Sequence, residues 1–405
     1  MELKVDGDRL WSTLMEMGEI GKKGEGVNRL ALNDADKEGR DLFVGYLRDE
    51  NLDIYVDKIG NIFGVREGRK HTESPIVIGS HLDTVKDAGI FDGALGVLSG
   101  LEVIRILNQN DIETERSIAL GAFTNEEGAR FQPDMMGSMV FTKQLSLEDA
   151  WKAEDDDGVT VKDELKRTGY LGSDLFNAGC FIELHVEQGP VLHSEGLEIG
   201  VVEGVQGMAW WDGEYIGEAN HAGTTPLDLR RDALLAAAEL CCRLRKIAED
   251  MSHDSVATMG RLHPRPDIRN VVPGGAFFTI DFRQYEPELY EEGQKEVLRL
   301  VEGIAGKHGL DFNLNQTVDA KPVRFDSGMV GLVENKAKEL GLSYKKMHSG
   351  AGHDAQFMSY ICPTAMVFVP SIGGRSHCPE ERTTKTDCVN GANILLQSVL
   401  ELSAV

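Results

Sequence analysis

Imidazoles and carboxylates gather in this sequence where apolar runs end. In IVIGSHLDTV (residues 76–85), strand-like Ile76 to Gly79 run into Ser80, His81, Leu82 and Asp83, and Asp92 follows in FDG. Glu126 and Glu127 (TNEEGARF) follow a strand-like stretch at 117–123. His185 ends the apolar run 180–184, and His377 (GGRSHCPEE) lies just beyond the stretch 364–369. A polar loop capping a buried strand accounts for any one of these residues. Their joint placement at four strand ends has a chemical reading, because the carboxyl edge of an open α/β sheet is where ligands bind. Imidazole with carboxylate, and no paired thiolates, suits zinc or manganese used as a Lewis acid. Three histidines and several carboxylates exceed the needs of one four-coordinate ion. Two ions sharing a bridging carboxylate use them all and acidify a water between them. In the EE pair, one glutamate can bind while its neighbour moves protons.

The elements that must position these groups alternate. Residues 37–49 have helical periodicity, 61–66 and 75–80 read as strands, a helix runs from Asp92 to about Asn108, and 117–123 is again a strand. This order implies a mainly parallel sheet covered by helices. Residues 208–320 read differently. Strand-like 208–219 precedes a helix from Pro226 to about Asp250, with Thr225 as its cap. Strands at 255–262 and 276–284, a helix at 287–308 and a strand at 310–316 complete β-α-β-β-α-β, the ferredoxin-like order. The expected fold is therefore α/β: a di-metal catalytic domain (1–207 and 321–405) interrupted by a smaller ferredoxin-like domain at 208–320.

Bulk properties narrow the partners. The 405 residues carry 67 acidic against 42 basic side chains, a formal charge of −25, which argues against a broad nucleic-acid or anionic-membrane surface. Six cysteines in so long a chain form no disulfide framework. The opening MELKVDGDRLWSTLMEMGEI lacks the basic and apolar regions of a secretory signal, so a reduced, cytoplasmic setting is expected.

The motifs HLDTV, FDGALGV, TNEEGARF, ELHVEQGP, NHAGTTP, RNVVPG, SGAGHDA and PSIGGRSH, in this order over nearly the whole chain, resemble one group. It is the N-carbamoyl-amino-acid hydrolase, β-ureidopropionase and allantoate amidohydrolase branch of the di-metal aminoacylase-like amidohydrolases. The resemblance implies two divalent ions per subunit, zinc first, with manganese, cobalt and nickel as alternatives. It makes Asp92 the bridging ligand, with His81 and His185 on one ion and Glu127 and His377 on the other. It makes Glu126 the general base and Asp83 the partner that orients His81. His185 followed by EQGP marks the carbamoyl-hydrolysing branch, where peptidase and deacylase relatives carry a carboxylate. The smaller domain is implied to be a lid that dimerises the protein. On it, His221 stabilises the oxyanion, and Asn270 with Arg283 holds the substrate carboxylate. Gln188 and His353 are implied as further substrate contacts. Arg375 departs from the smaller or apolar residue common there, which bears on the shape of the substrate pocket. The implied activity is hydrolysis of N-carbamoyl amino acids, with allantoate as the alternative substrate and N-acyl amino acids or dipeptides behind it.

Overall fold

The computed structural model describes residues 3–404 apart from 71 and 253. The chain divides into two compact units, Met1–Gly204 with Arg324–Val405, and Val205–Val323.

The larger unit is built on a nine-stranded sheet. Its centre is four adjacent strands, Thr364–Val369, Cys180–Val186, Ile76–His81 and Ile118–Phe123, all parallel. Every residue of these strands is buried, as expected of parallel strands covered on both faces. The parallel centre gives way to antiparallel neighbours. Ile62–Arg66 runs antiparallel to Ile118–Phe123, Asp53–Val56 antiparallel to Ile62–Arg66, and Ile199–Val205 antiparallel to Thr364–Val369. Thr364–Val369 thus lies between Cys180–Val186 and Ile199–Val205, which precede it by far in sequence. Because the four central strands point the same way, their carboxyl ends share one edge. His81 is the last residue of its strand and pairs with Phe123, the last of the next. His185 lies inside its strand rather than beyond it, opposite Phe368.

Between Ile76–His81 and Ile118–Phe123 the chain crosses over through the helix Ala94–Gln109. Gly93 precedes this helix with φ of 65°. A Cβ there would lie 2.5 Å from the His81 ring, so both the turn and the histidine beside it require glycine.

In the smaller unit, Gly207–Ile216, Gly275–Gln284 and Asp311–Ala320 form an antiparallel sheet, with Val256–Thr258 and Leu262–Arg265 both paired to Gly275–Gln284. The strand expected at 255–262 is therefore two short pieces. The order matches the ferredoxin-like arrangement, and both helices cover one face. Ala209, Trp211, Tyr215, Phe278, Ile280 and Phe282 alternate inward onto Leu240, Leu244, Val297, Val301 and Ile304. Trp210 and Ile216, one position out of phase, are exposed on the other face.

The first helix of this unit starts later than its sequence indicates. It spans Ala233–Met251, capped by Asp232, whose side chain accepts the Leu235 N–H. Pro226 instead has extended ψ of 150° before a short 3-10 turn. The Arg230 guanidinium donates to the carbonyls of Ala222 and Thr225 and ties the intervening residues into a loop. Proline after a threonine is as good an opening for a turn as for a helix, and tertiary contacts chose the turn.

Candidate metal centre

At the shared carboxyl edge, His81, Asp92 and His185 converge as one possible ligand group, and Asp92, Glu127 and His377 as a second. Asp92 belongs to both, with one oxygen facing each. Its Oδ1 lies 3.7 Å from His81 Nε2 and 3.1 Å from His185 Nε2, while Oδ2 lies 3.3 Å from His377 Nε2. Glu127 Oε2 is 3.4 Å from the same His377 nitrogen. Ligands bound tetrahedrally at about 2.0–2.1 Å from an ion are about 3.3–3.5 Å apart, so these separations suit two ions on either side of Asp92. Glu126 Oε2 lies 3.4 Å from His81 Nε2, beside the first group.

The histidines are aimed by backbone carbonyls. His81 Nδ1 lies 2.9 Å from the carbonyl of Asp83, and His185 Nδ1 lies 2.9 Å from that of Val186. Each contact places a proton on Nδ1 and turns Nε2 toward Asp92, and the His185 Nε2 also lies 3.3 Å from the Gly93 N. Asp83 therefore orients His81 through its main chain. Its carboxylate does something else: it accepts the N–H groups of Glu126 and Glu127, both at 3.2 Å, and so sets the loop bearing these two glutamates.

The charge balance calls for cations. Burial pushes the Glu126 carboxyl well above its usual range, and the negative charges of Asp354, Glu127, Asp92 and Asp83 add to the shift. Glu127 is raised by burial and then by Asp92 and Asp83. Burial drives His81 down to about 4. Burial opposes charge on His185 too, but the hydrogen bond and charge of Asp92, then Glu183, push it up to about 9. Crowded carboxylates that draw a proton onto His185, beside a His81 kept neutral by burial, form an imidazole and carboxylate donor set that fits two divalent ions in both chemistry and charge.

Other expected site residues lie where their roles differ. Gln188 adopts φ of 58°, and its amide nitrogen donates to Asp92 Oδ2 at 2.9 Å and lies 3.3 Å from His377 Nε2. It addresses the same two atoms that the second group offers to an ion. His353 is 1% exposed, hydrogen-bonded to Ser349 Oγ at 2.8 Å, with its ring centroid 4.6 Å from that of His185. It is thus buried against His185 and, with Glu183 and His185, forms a third group of possible ligands. Arg375 is exposed, 3.8 Å from Glu380.

In the smaller unit, His221 is exposed, and its Nδ1 accepts the N–H groups of Gly223 and Thr224 at 3.0 and 3.2 Å. That pattern puts the ring proton on Nε2, free to donate. Asn270 is exposed in the adjoining loop, its carbonyl accepting the Ala222 N–H. The Arg283 guanidinium forks onto Asp281, with Nη2 2.9 Å from Oδ2.

Two buried carboxylates escaped the sequence reading. Glu183 accepts Ser80 Oγ at 2.6 Å and the Ala355 N–H at 2.8 Å, joining the residue before His81 to the turn that carries His353. Its position in strand phase with His185 was the available signal. Glu381, in a PEE run that reads as solvated, is 0% exposed.

Residues 77–401 match the model of Peptidase family M20/M25/M40. The chain is 38% identical to the N-carbamoyl-L-amino-acid amidohydrolase of Rhizobium meliloti, covering 99% of this chain and 98% of that protein. It is 36% identical to the N-carbamoyl-L-amino acid amidohydrolase of Geobacillus stearothermophilus, covering 98% and 99%. The crystal structure of an amidase of the hydantoinase/carbamoylase family from Burkholderia multivorans superposes with a TM-score of 0.98 at 42% identity, covering 100% of both chains.

Proposed function

The chain belongs to Peptidase family M20/M25/M40, in its hydantoinase/carbamoylase branch, and from that membership we propose how it hydrolyses the carbamoyl group of N-carbamoyl amino acids. The observation that carries this reading is Asp92, whose two oxygens complete two separate ligand groups beside a buried glutamate. His81, Asp92 and His185 would hold one ion, and Asp92, Glu127 and His377 the other. Zinc is the first choice for a set of imidazoles and carboxylates. When bound, the ions supply Lewis-acid polarisation and an acidified water.

The chain's own residues then divide the work. Glu126 takes the proton of the water that attacks the carbamoyl carbon and returns it to the departing nitrogen. Its carboxyl, pushed up by burial and neighbouring charge, is a suitable proton carrier. His221, with its proton on Nε2, donates to the developing oxyanion. Arg283 and Asn270 take the substrate carboxylate, the guanidinium exchanging Asp281 for the ligand. The products are an amino acid, ammonia and carbon dioxide. We assign the smaller unit as a lid and homodimer surface, a role supported by Trp210 and Ile216 exposed on its uncovered sheet face. Six free thiols suit the cytoplasm, and no helix among the described residues is long and apolar enough to cross a membrane.

The test is ammonia release by protein loaded separately with zinc and manganese. The substrates are N-carbamoyl-L-amino acids, N-carbamoyl-β-alanine and allantoate, with Glu126→Gln as control. Release from N-carbamoyl-L-amino acids, lost in the control, is expected. No release from any of the three, with two ions bound, overturns the assignment and points to N-acyl amino acids or dipeptides.

A further inference from the structure

Glu381 is buried beside the metal centre but belongs to neither ligand group. Its Oε1 accepts the N–H groups of Phe91 and Asp92 at 3.2 and 3.1 Å, and its Oε2 accepts Ser376 Oγ at 2.8 Å. Ser376 Oγ is also 3.3 Å from Asp92 Oδ2. Gly89 completes the fit, since a Cβ there would lie 2.5 Å from Glu381 Oε1. The loop before Asp92 is thus shaped around this one carboxylate. These contacts join the loop carrying the shared aspartate to the loop carrying His377, whose sequence positions lie at opposite ends of the chain. Among the described residues, no carbonyl contact like those that aim His81 and His185 is seen for His377, the exposed histidine of the set.

We propose that Glu381, acting through Ser376, is a positioning residue that sets the spacing between Asp92 and His377 and so governs retention of one of the two ions. The inference rests on the di-metal reading above. It makes the centre asymmetric. The ion at His81, Asp92 and His185 would be held by two histidines aimed from their own strands, with Asp92 shared. The ion at Asp92, Glu127 and His377 depends on a tie between two loops. Groups that orient metal ligands in this indirect way are worth about 10–100-fold in metal affinity.

The experiment titrates zinc into full-length protein against a competing chromophoric chelator, for the parent, Glu381→Ala, Glu381→Gln and Ser376→Ala. The parent is expected to hold two ions. In Glu381→Ala, one keeps the parent affinity and the other weakens about 10–100-fold. Glu381→Gln recovers most of that loss, because its carbonyl oxygen still accepts the Phe91 and Asp92 N–H groups. Ser376→Ala weakens the same ion by about tenfold while leaving those N–H groups paired, and so reports even where Glu381→Ala does not fold. Both ions weakening together, or neither changing in Ser376→Ala and Glu381→Gln alongside an unchanged Glu381→Ala, overturns the proposal. A parent that binds no divalent ion instead overturns the di-metal reading, which is a separate failure.

Discussion

In the larger unit His81, Asp92, Glu126 and His185 are buried, and strand ends, carbonyls and neighbouring carboxylates fix their directions. In the smaller unit His221 and Asn270 are exposed, and Arg283 is half-buried with its fork on Asp281. The contrast follows from what each set must do. A group that holds an ion needs its lone pair aimed in advance, and burial lowers the local dielectric that strengthens the contact. A group that meets a substrate must stay reachable and exchange an internal partner for the ligand. One unit buries a crowded, charged cluster; the other leaves these groups exposed or half-buried.

The sharpest way to break this comparison is to remove the base and keep the ions. Glu126→Gln is expected to lower kcat by about 10²–10⁴-fold with metal content unchanged, read by elemental analysis beside ammonia release. Loss of an ion along with activity would make Glu126 a ligand and erase its separate role. His221→Ala tests the exposed side: kcat should fall by about 10²–10³-fold with both ions retained. A variant that turns over like the parent would remove the smaller unit from the chemistry. Arg283→Lys should act on binding, raising KM by about tenfold with little change in kcat, because a lysine cannot fork onto a carboxylate. An equal fall in kcat and no rise in KM would place Arg283 away from the ground-state substrate.

The smallest effects concern stability, where one residue in each unit should respond to pH in opposite senses. Glu239, in the smaller unit, is lowered to about 2 by hydrogen bonds from His308 and Lys307. Its contribution is present above its ordinary value of 4.5 and is lost as pH falls toward 2. Asp57, in the larger unit, is raised by burial to about 6 despite bonds from Asn61 and Ile59, so the folded state holds a proton that the unfolded chain has released. Its contribution is complete below the ordinary 3.8 and declines as pH rises toward 6. Calorimetry of Glu239→Gln should therefore show a small loss at neutral pH, of about 0.2–1 kcal/mol for a largely solvent-screened pair, that disappears near pH 2. Asp57→Asn should flatten the profile between about pH 4 and 6. A loss in Glu239→Gln that persists at pH 2 would assign the effect to packing.

The candidate ligand groups are more legible in the sequence than the residues that support them, and for a physical reason. Strand ends are legible, because an apolar run must stop and the residues after it point into one edge; His81, Glu126, Glu127 and His377 all follow such runs. His185 was found although it lies within its strand, because its neighbours EQGP marked it. Supports leave no such pattern. Glu381 reads as surface charge and is buried only because a loop 290 residues earlier folds around it. The division of labour in Asp83, carbonyl to His81 and carboxylate to the glutamate loop, depends on backbone direction rather than residue type. Likewise the helix start at Ala233 was decided by Arg230 bonding to carbonyls, a contact with no signature in periodicity.

The place of Thr364–Val369 between Cys180–Val186 and Ile199–Val205 also imposes a timetable on synthesis. A chain emerging from the ribosome makes both flanking strands early and must then keep them from pairing with each other while roughly 160 more residues are added. At about 5–20 residues per second that interval lasts about 10–30 s. The smaller unit is one uninterrupted stretch, made within this interval, and can fold while the larger sheet still has an open slot. Until the slot fills, apolar strand edges stay exposed to other chains, and His377 has yet to be made.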